Sequence, residues 1–388
     1  MPTFSHFPGG ADAVRRIARR ALLLLALLAV WLLGAGGEQA LAAGQSAIAV
    51  TDMLGRKVTL PSPAKRIVLP EGRHVLTLGL LDKDPLSFVV AWGNDFKRYS
   101  PATFEVLRKR FPKADSIPDV GGTTAGSFSM EATIAAKPDL VIFTLYGPPP
   151  DGLDRLDAAG IPYVFVDFFQ KPLTNIVPSM RMLGALLDRE REAESFIAYY
   201  ESHMAAVAAR LAKTGGPKRV FFHLNPDGKD CCYTSGPGNM SDFIAAAGGH
   251  NIGADIVPGA IGKINLEYLL THAPDFYLAG GGSAVALNGL QVGPGVTPDA
   301  ARQTMATILK APGIAKLAAV ENGRAGGVWL FFFDTPLFFV GVEKIAAMLH
   351  PAAFADLDPD RTMAEINRTL LAFPLEGTFW VDAKSAAR

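Results

Sequence analysis

The two cysteines of this sequence, Cys231 and Cys232, are neighbours. As thiols they would be two semi-buried groups in a loop; oxidised, they would close a disulfide between consecutive residues; as thiolates they could ligate a metal. Consecutive Cα atoms lie about 3.8 Å apart across a trans peptide, below the ~4.4–6.8 Å that disulfides prefer, so a bond between neighbours is possible but strained, and all three readings stay open. The seven histidines, at 6, 74, 203, 223, 250, 272 and 350, show no H-x-H or H-E-x-x-H spacing. A bare zinc or manganese ion needs three or four convergent ligands, so no metal site is expected, and His74 reads better as a core or loop histidine than as an axial ligand. There is no G-x-S-x-G elbow and no Walker loop, and Gly236-Pro237-Gly238 lacks the rest of a dinucleotide site. No catalytic residue and no cofactor is therefore expected.

What remains is binding chemistry. In open α/β sheets ligands sit beyond the carboxyl ends of the strands, and aromatic and cationic residues gather after the apolar runs here. Arg73 and His74 follow the first run, Trp92, Arg98 and Tyr99 the second, Tyr146 the third and Phe169 the fourth. Cys232 and Tyr233 follow a later run, and Phe332 and Phe333 the last. Glu71, Asp95, Phe331 and Asp334 lie in the same stretches without an assigned role. Such a cleft suits a large, partly planar or amphipathic ligand, with rings stacking on Trp92 and Tyr233 and anionic groups meeting Arg73 and Arg98.

The elements that must position these residues alternate. Apolar strands are expected over 47–51 and 57–60 as a hairpin, then at 67–69, 88–92, 140–143 and 163–166, with helical segments between them. That alternation predicts a parallel α/β layer. An uninterrupted helical stretch follows at 189–213, with Phe196, Tyr199, Tyr200, Met204 and Val207 recurring at three and four residues. Its 25 positions would span roughly 37 Å, enough for a strut between two lobes. After Pro217 the pattern restarts: Lys218-Arg219-Val220 echoes Lys65-Arg66-Ile67. Met130-Glu131, six residues, Pro138-Asp139 and an apolar strand is echoed by Leu266-Glu267, six residues, Pro274-Asp275 and an apolar strand. Two echoes in the same order predict duplicated lobes.

Composition sets the compartment. The 388 residues carry 37 Lys+Arg and 37 Asp+Glu, so there is no basic field for a nucleic acid. Residues 1–43 read as a signal peptide: four arginines at 15–20, a 13-residue apolar run at 21–33, and Ala40-Leu41-Ala42 for cleavage near Ala42/Ala43. The apolar run is short for a bilayer that needs about 20 residues. Without this leader, 33 basic residues face 35 acidic ones, and a slightly acidic exported protein is expected.

Together the motifs resemble the periplasmic substrate-binding proteins of ABC importers for ferric siderophores, haem and cobalamin. The resemblance runs from Thr51-Asp52-Met53-Leu54-Gly55-Arg56 and Pro63-Ala64-Lys65-Arg66-Ile67-Val68 to the helix near Ala346 and Met348. It implies two Rossmann-like α/β lobes joined by a single long rigid helix, with the ligand cleft between them: an N-terminal lobe over 44–188, the linking helix over 189–216, and a C-terminal lobe with an extension over 217–388. It implies that Glu131 and Glu267 dock on the two membrane subunits of an importer permease, itself driven by an ATPase. It also implies a periplasmic monomer whose ligand, a ferric siderophore in the first reading and haem or cobalamin in the second, supplies its own metal coordination. A periplasmic enzyme acting on ferric siderophore is the reading from another class, supported only by the adjacent cysteines. The segment 359–382 is expected to pack on the second lobe.

Overall fold

The computed structural model describes Thr3 and residues 47–122, 128–227, 231–282 and 289–383; the leader read over residues 1–43 lies outside the described residues, Thr3 apart. Ile48–Thr51 (β1) and Lys57–Leu60 (β2) form the expected antiparallel hairpin. Asp52 ties its turn, accepting from the N–H groups of Leu54 and Arg56 at 3.0 and 2.9 Å.

The first main sheet contains Ile67–Leu69 (β3), Val89–Trp92 (β4), Leu140–Thr144 (β5) and Tyr163–Val166 (β6). All pairings are parallel, in the order β4-β3-β5-β6. Their near-continuous apolar sequences follow from burial on both faces, as parallel sheets require.

The remaining strands are Lys218–Leu224 (β7), Tyr233–Ser235 (β8), Gly249–Asn251 (β9), Ile261–Lys263 (β10), Phe276–Gly281 (β11), Gly293–Pro294 (β12), Ala325–Trp329 (β13), Gly377–Thr378 (β14) and Trp380–Asp382 (β15). The second main sheet runs β15-β13-β11-β7-β9. Its parallel part, β13-β11-β7-β9, repeats the order β6-β5-β3-β4 of the first. The duplication read from the Glu…Pro-Asp echo is therefore present in the strand order, and β15 is an antiparallel addition to it.

The echo has a local cause. Met130–Ala135 and Leu266–His272 are helices capped by Ser129 and Asn265, whose side chains accept from the third residue of each helix. Both helices end in a residue of positive φ before the proline, Lys137 at 49° and Ala273 at 37°. Arg66 donates to the carbonyls of Ala136 and Lys137, and Arg219 to that of His272. A cation thus covers the carbonyl end of each helix, where the macrodipole favours it.

The helix between the sheets, Glu190–Leu211, is slightly shorter than read and spans about 33 Å. Ala193, Phe196, Ile197, Tyr200 and Val207 form its buried stripe. It packs closely on the preceding helix Pro172–Leu187, where a Cβ on Gly184 would sit 2.7 Å from that of Ala193. Toward the second sheet, Phe196 and Tyr200 meet Phe339 and Phe338 with ring centres 6.4 and 5.7 Å apart.

The C-terminal segment packs on the second lobe as expected and also reaches beyond it. Its helix Pro359–Thr369 and β15 pack on the second lobe, but the turn between them reaches the first. Ala372 N–H donates to the Gly79 carbonyl at 2.9 Å, Phe373 lies against Gly79, and Lys83 donates to the carbonyls of Thr369 and Leu370. A Cβ on Gly79 would meet the Phe373 ring at 3.4 Å, so the ring packs directly on this turn of the first lobe.

Candidate functional site

The carboxyl ends of β3 and β4 are drawn together by two glycines. A Cβ on Gly93 would lie 2.0 Å from the Pro70 carbonyl, and one on Gly72 2.4 Å from that of Gly93. This approach puts Asp95 under the β3 loop, where Oδ1 accepts from Gly72 N–H at 2.7 Å and Oδ2 from Arg73 N–H at 3.2 Å. Arg73 is fixed from below: its Nε donates to Glu71 Oε1 at 2.5 Å and to Asp95 Oδ2 at 3.1 Å. Its Nη2 donates to Tyr146 Oη at 3.4 Å and lies 3.5 Å from Asp334 Oδ2, on the loop after β13.

Aromatic rings close around this guanidinium. Its carbon is 4.7 Å from the Phe331 ring centre and 5.7 Å from those of Tyr99 and Phe333, within cation–π range. Tyr99 stacks on Phe331 at 5.9 Å. Phe169 contacts Tyr146 at 5.0 Å and Phe333 at 5.4 Å, and Asn239 donates to the carbonyls of Phe169 and Phe333. The strand ends of the two sheets therefore meet across an aromatic junction with one arginine at its centre.

The electrostatics are lopsided, with three carboxyl groups facing one guanidinium. Burial works against ionised Glu71, but the Arg73 charge and the hydrogen bonds from Asp95 and Arg73 outweigh it and hold Glu71 at about 2. Burial, then the charge of Glu71, push Asp95 well above the carboxylate range. Burial and Glu71 likewise raise Asp334 to about 8, against the pull of Arg73 and Tyr146. Burial drops His74 to about 4, with Arg73 opposing its protonation and Glu71 favouring it.

Of the residues read as ligand contacts, the structure brings Arg73, Tyr99, Tyr146, Phe169 and Phe333 together at this junction. Arg98 is exposed beside it, its guanidinium carbon 5.1 Å from the Tyr99 ring centre. Three others belong to the interior. Trp92, 2% exposed, packs edge-on against Phe96 and Phe104 within the first lobe. His74 turns inward to Thr144 and Thr77, and Phe332 lies among Trp329, Phe379 and Trp380. An aromatic residue at a strand end can point either way, and these point into the core. Tyr233 is 47% exposed on β8 under the Lys263 ammonium, and Cys232 is buried in a disulfide with Cys231. Arg73, read as meeting anionic groups of a ligand, has its guanidinium engaged by Glu71, Asp95 and Asp334 in this ligand-free chain.

Sequence reading missed the carboxylates because Asp334 meets Tyr146 across 188 positions. The one available signal was that each acid follows a strand end. A cavity of about 1080 Å³ lined by Lys218, Asp275, Arg324 and Asp382 opens at the other end of the second sheet. That is the amino end of its parallel strands, away from the side where such sheets bind ligands. Among the described residues no group of three or more His, Cys, Asp or Glu is arranged to hold a metal ion, and no helix is long and apolar enough to cross a membrane.

Two duplicated parallel sheets, a connecting helix and a strand-end junction define a two-lobed binding protein. The chain belongs to the periplasmic binding protein family, which matches residues 92–325. It is 29% identical over 174 residues to a cobalamin-binding protein of Halobacterium salinarum, covering 44% of this chain and 45% of that one. It is 28% identical over 155 residues to a vitamin B12-binding protein of Yersinia pestis, covering 39% and 52%. The chain thus spans about half the length of the curated relatives it matches. Among solved structures, the TroA-like periplasmic binding protein FepB of Veillonella parvula superposes with a TM-score of 0.76 at 23% identity, covering 86% of this chain and 99% of that one. An ABC-type Fe3+-hydroxamate transport system protein of Saccharomonospora viridis gives 0.54 at 24% identity, covering 78% and 98%. These two likenesses speak for the fold.

Proposed function

We propose that the chain is the solute-binding component of an ABC importer, capturing an iron(III)–siderophore complex between its lobes in the periplasm and delivering it to a membrane permease. The observation that carries this reading is the aromatic junction at the facing strand ends, where Tyr99, Tyr146, Phe169, Phe331 and Phe333 would present ring faces to a large chelate once the lobes part. The exposed Arg98 lies beside Tyr99, outside the buried cluster, where the same ligand can reach it. The chelate brings its own metal coordination, and the protein acts as a carrier rather than a catalyst.

Cobalamin is the second reading, favoured by the two relatives named for it. The local charge bears on the choice. With Arg73 already engaged by Glu71, Asp95 and Asp334, the junction offers no free cation to ligand carboxylates such as those of haem, and a ligand rich in neutral amides does not need one.

Glu131 and Glu267 fit a docking role. Each is the second residue of a matching helix and is exposed; Glu131 pairs with Arg155 at 2.8 Å. Tryptophan-quenching titrations with a ferric hydroxamate, a ferric catecholate, cyanocobalamin and haemin test the ligand class. Saturable quenching by a ferric siderophore at micromolar concentration supports the first reading, and quenching by cyanocobalamin alone supports the second. Quenching by none of the four overturns both.

A further inference from the structure

The two lobes share one hydroxyl. Tyr146 Oη lies 2.7 Å from Glu71 Oε2 and also contacts Asp334 Oδ2, yet it has a single hydrogen to donate. Two ionised carboxylates cannot both be satisfied by it, so one contact must use a carboxyl proton. Glu71 accepts from Arg73 Nε at 2.5 Å, which compensates its charge. Asp334 is compensated less: its Oδ1 is buried with no hydrogen-bond partner among the described residues, and its ion pair with Arg73 is longer, at 3.5 Å. The proton belongs on Asp334, which donates to Tyr146, which donates in turn to Glu71.

We propose that this relay is a latch: a proton on Asp334 holds the strand-end junction shut, and parting the lobes to admit a solute releases that proton. The proposal rests on the solute-binding reading above, but the latch is a property of the chain without ligand. The groups facing Asp334 are Glu71 and Arg73 from the β3 loop, Tyr146 after β5 and Asp167 after β6. Asp95 and His74 stand behind Glu71 and Arg73 on the first lobe. The contacts of Asp95 with Gly72 and Arg73 are all within that lobe, so opening leaves them intact.

The sign follows from the two end states. Asp334 sits at about 8 in the closed junction and returns toward 3.8 when exposed. The closed form therefore holds one proton more than the open form between those values. Closure is strongest below that window, weakens as pH rises through it, by at most about tenfold per pH unit for one proton, and becomes insensitive above it.

Hydrogen–deuterium exchange of the ligand-free chain between pH 6 and 8.5, corrected for intrinsic exchange, reads the latch in peptides covering 70–75 and 330–337. Protection in both should fall together, by up to about a hundredfold from pH 6 to 8. Asp334→Asn keeps a hydrogen-bonding side chain but has no proton to lose, and should flatten the profile. Carboxyl 13C spectra of protein labelled at aspartate supply a second readout: a resonance titrating near pH 8 should be present in wild type and missing from Asp334→Asn, which separates it from Asp95. A flat wild-type exchange profile, an Asp334→Asn slope equal to that of wild type, or no resonance titrating above pH 6 that Asp334→Asn removes would each overturn the latch. A sloping profile in a protein that none of the four chelates quenches would sink the solute reading and leave the latch standing. Quenching with a flat profile would do the reverse.

Discussion

Asp139 and Asp275 hold the same post in the two lobes. The backbone N–H of each donates to the carbonyl of an arginine just before or at the start of a central strand, Arg66 at 2.9 Å and Arg219 at 2.7 Å. The carboxylate of each accepts from that arginine's N–H, at 2.9 Å in both lobes. The aspartate after the proline is thus a clasp that sets where β5 and β11 begin. Asp139→Ala and Asp275→Ala should each cost about 1 kcal/mol in urea unfolding, because water replaces part of what is lost at these exposed positions. A loss above about 3 kcal/mol for either would show that the clasp supports more than its strand.

Replacing Glu131 and Glu267 together by alanine should abolish delivery to the importer while leaving solute affinity within about twofold. Both side chains are exposed and neither belongs to the strand-end junction. Uptake by reconstituted importer, measured beside quenching titrations of the same variant, separates docking from capture. Undiminished uptake would remove the docking role.

His203 on the connecting helix contacts Glu343, 1% exposed on the helix Phe338–Leu349, at 2.6 Å. The other oxygen of that carboxylate has no hydrogen-bond partner among the described residues, so His203 is its compensation. His203→Ala, which leaves the buried Glu343 carboxyl without this hydrogen-bond partner, should cost about 1–3 kcal/mol, and His203→Ala with Glu343→Leu should recover much of it. Thermal unfolding of the single and double variants decides; equal losses in both would place the effect in lost packing instead.

Phe373, 1% exposed, seats the C-terminal segment on Gly79. Phe373→Ala should cost about 3–5 kcal/mol and should raise hydrogen exchange in residues 75–83 of the first lobe as well as in the segment itself. An exchange increase confined to the second lobe would contradict the bridge.

The strands of the first lobe were legible because each is a short β-branched or aromatic run fenced by proline, glycine or charge; Tyr163–Val166 falls where the sequence put it. The helical segment expected between the first two strands of the first main sheet is Val75–Leu81, which ends at Asp82 before a polar turn. Duplication showed through because the capping and clasping residues must recur for the geometry to recur. The site was harder to read. Which way Trp92 or Phe332 points depends on neighbours such as Phe104 and Trp380 that sequence distance hides. Likewise, nothing local to Arg73 announces that an aspartate 261 positions later, Asp334, will share its surroundings. Charge pairing between lobes is a property of the assembled fold rather than of any window along the chain.

The antiparallel strand Trp380–Asp382 covers the flank of β13, and the turn before it rests on the first lobe. A ribosome makes this segment after everything it touches. The flank of β13 therefore stays open to pairing with another chain until residues 380–382 emerge, a liability that unpaired strand edges carry. A fusion or tag placed directly after residue 383 would thus sit beside the pairing that closes this flank.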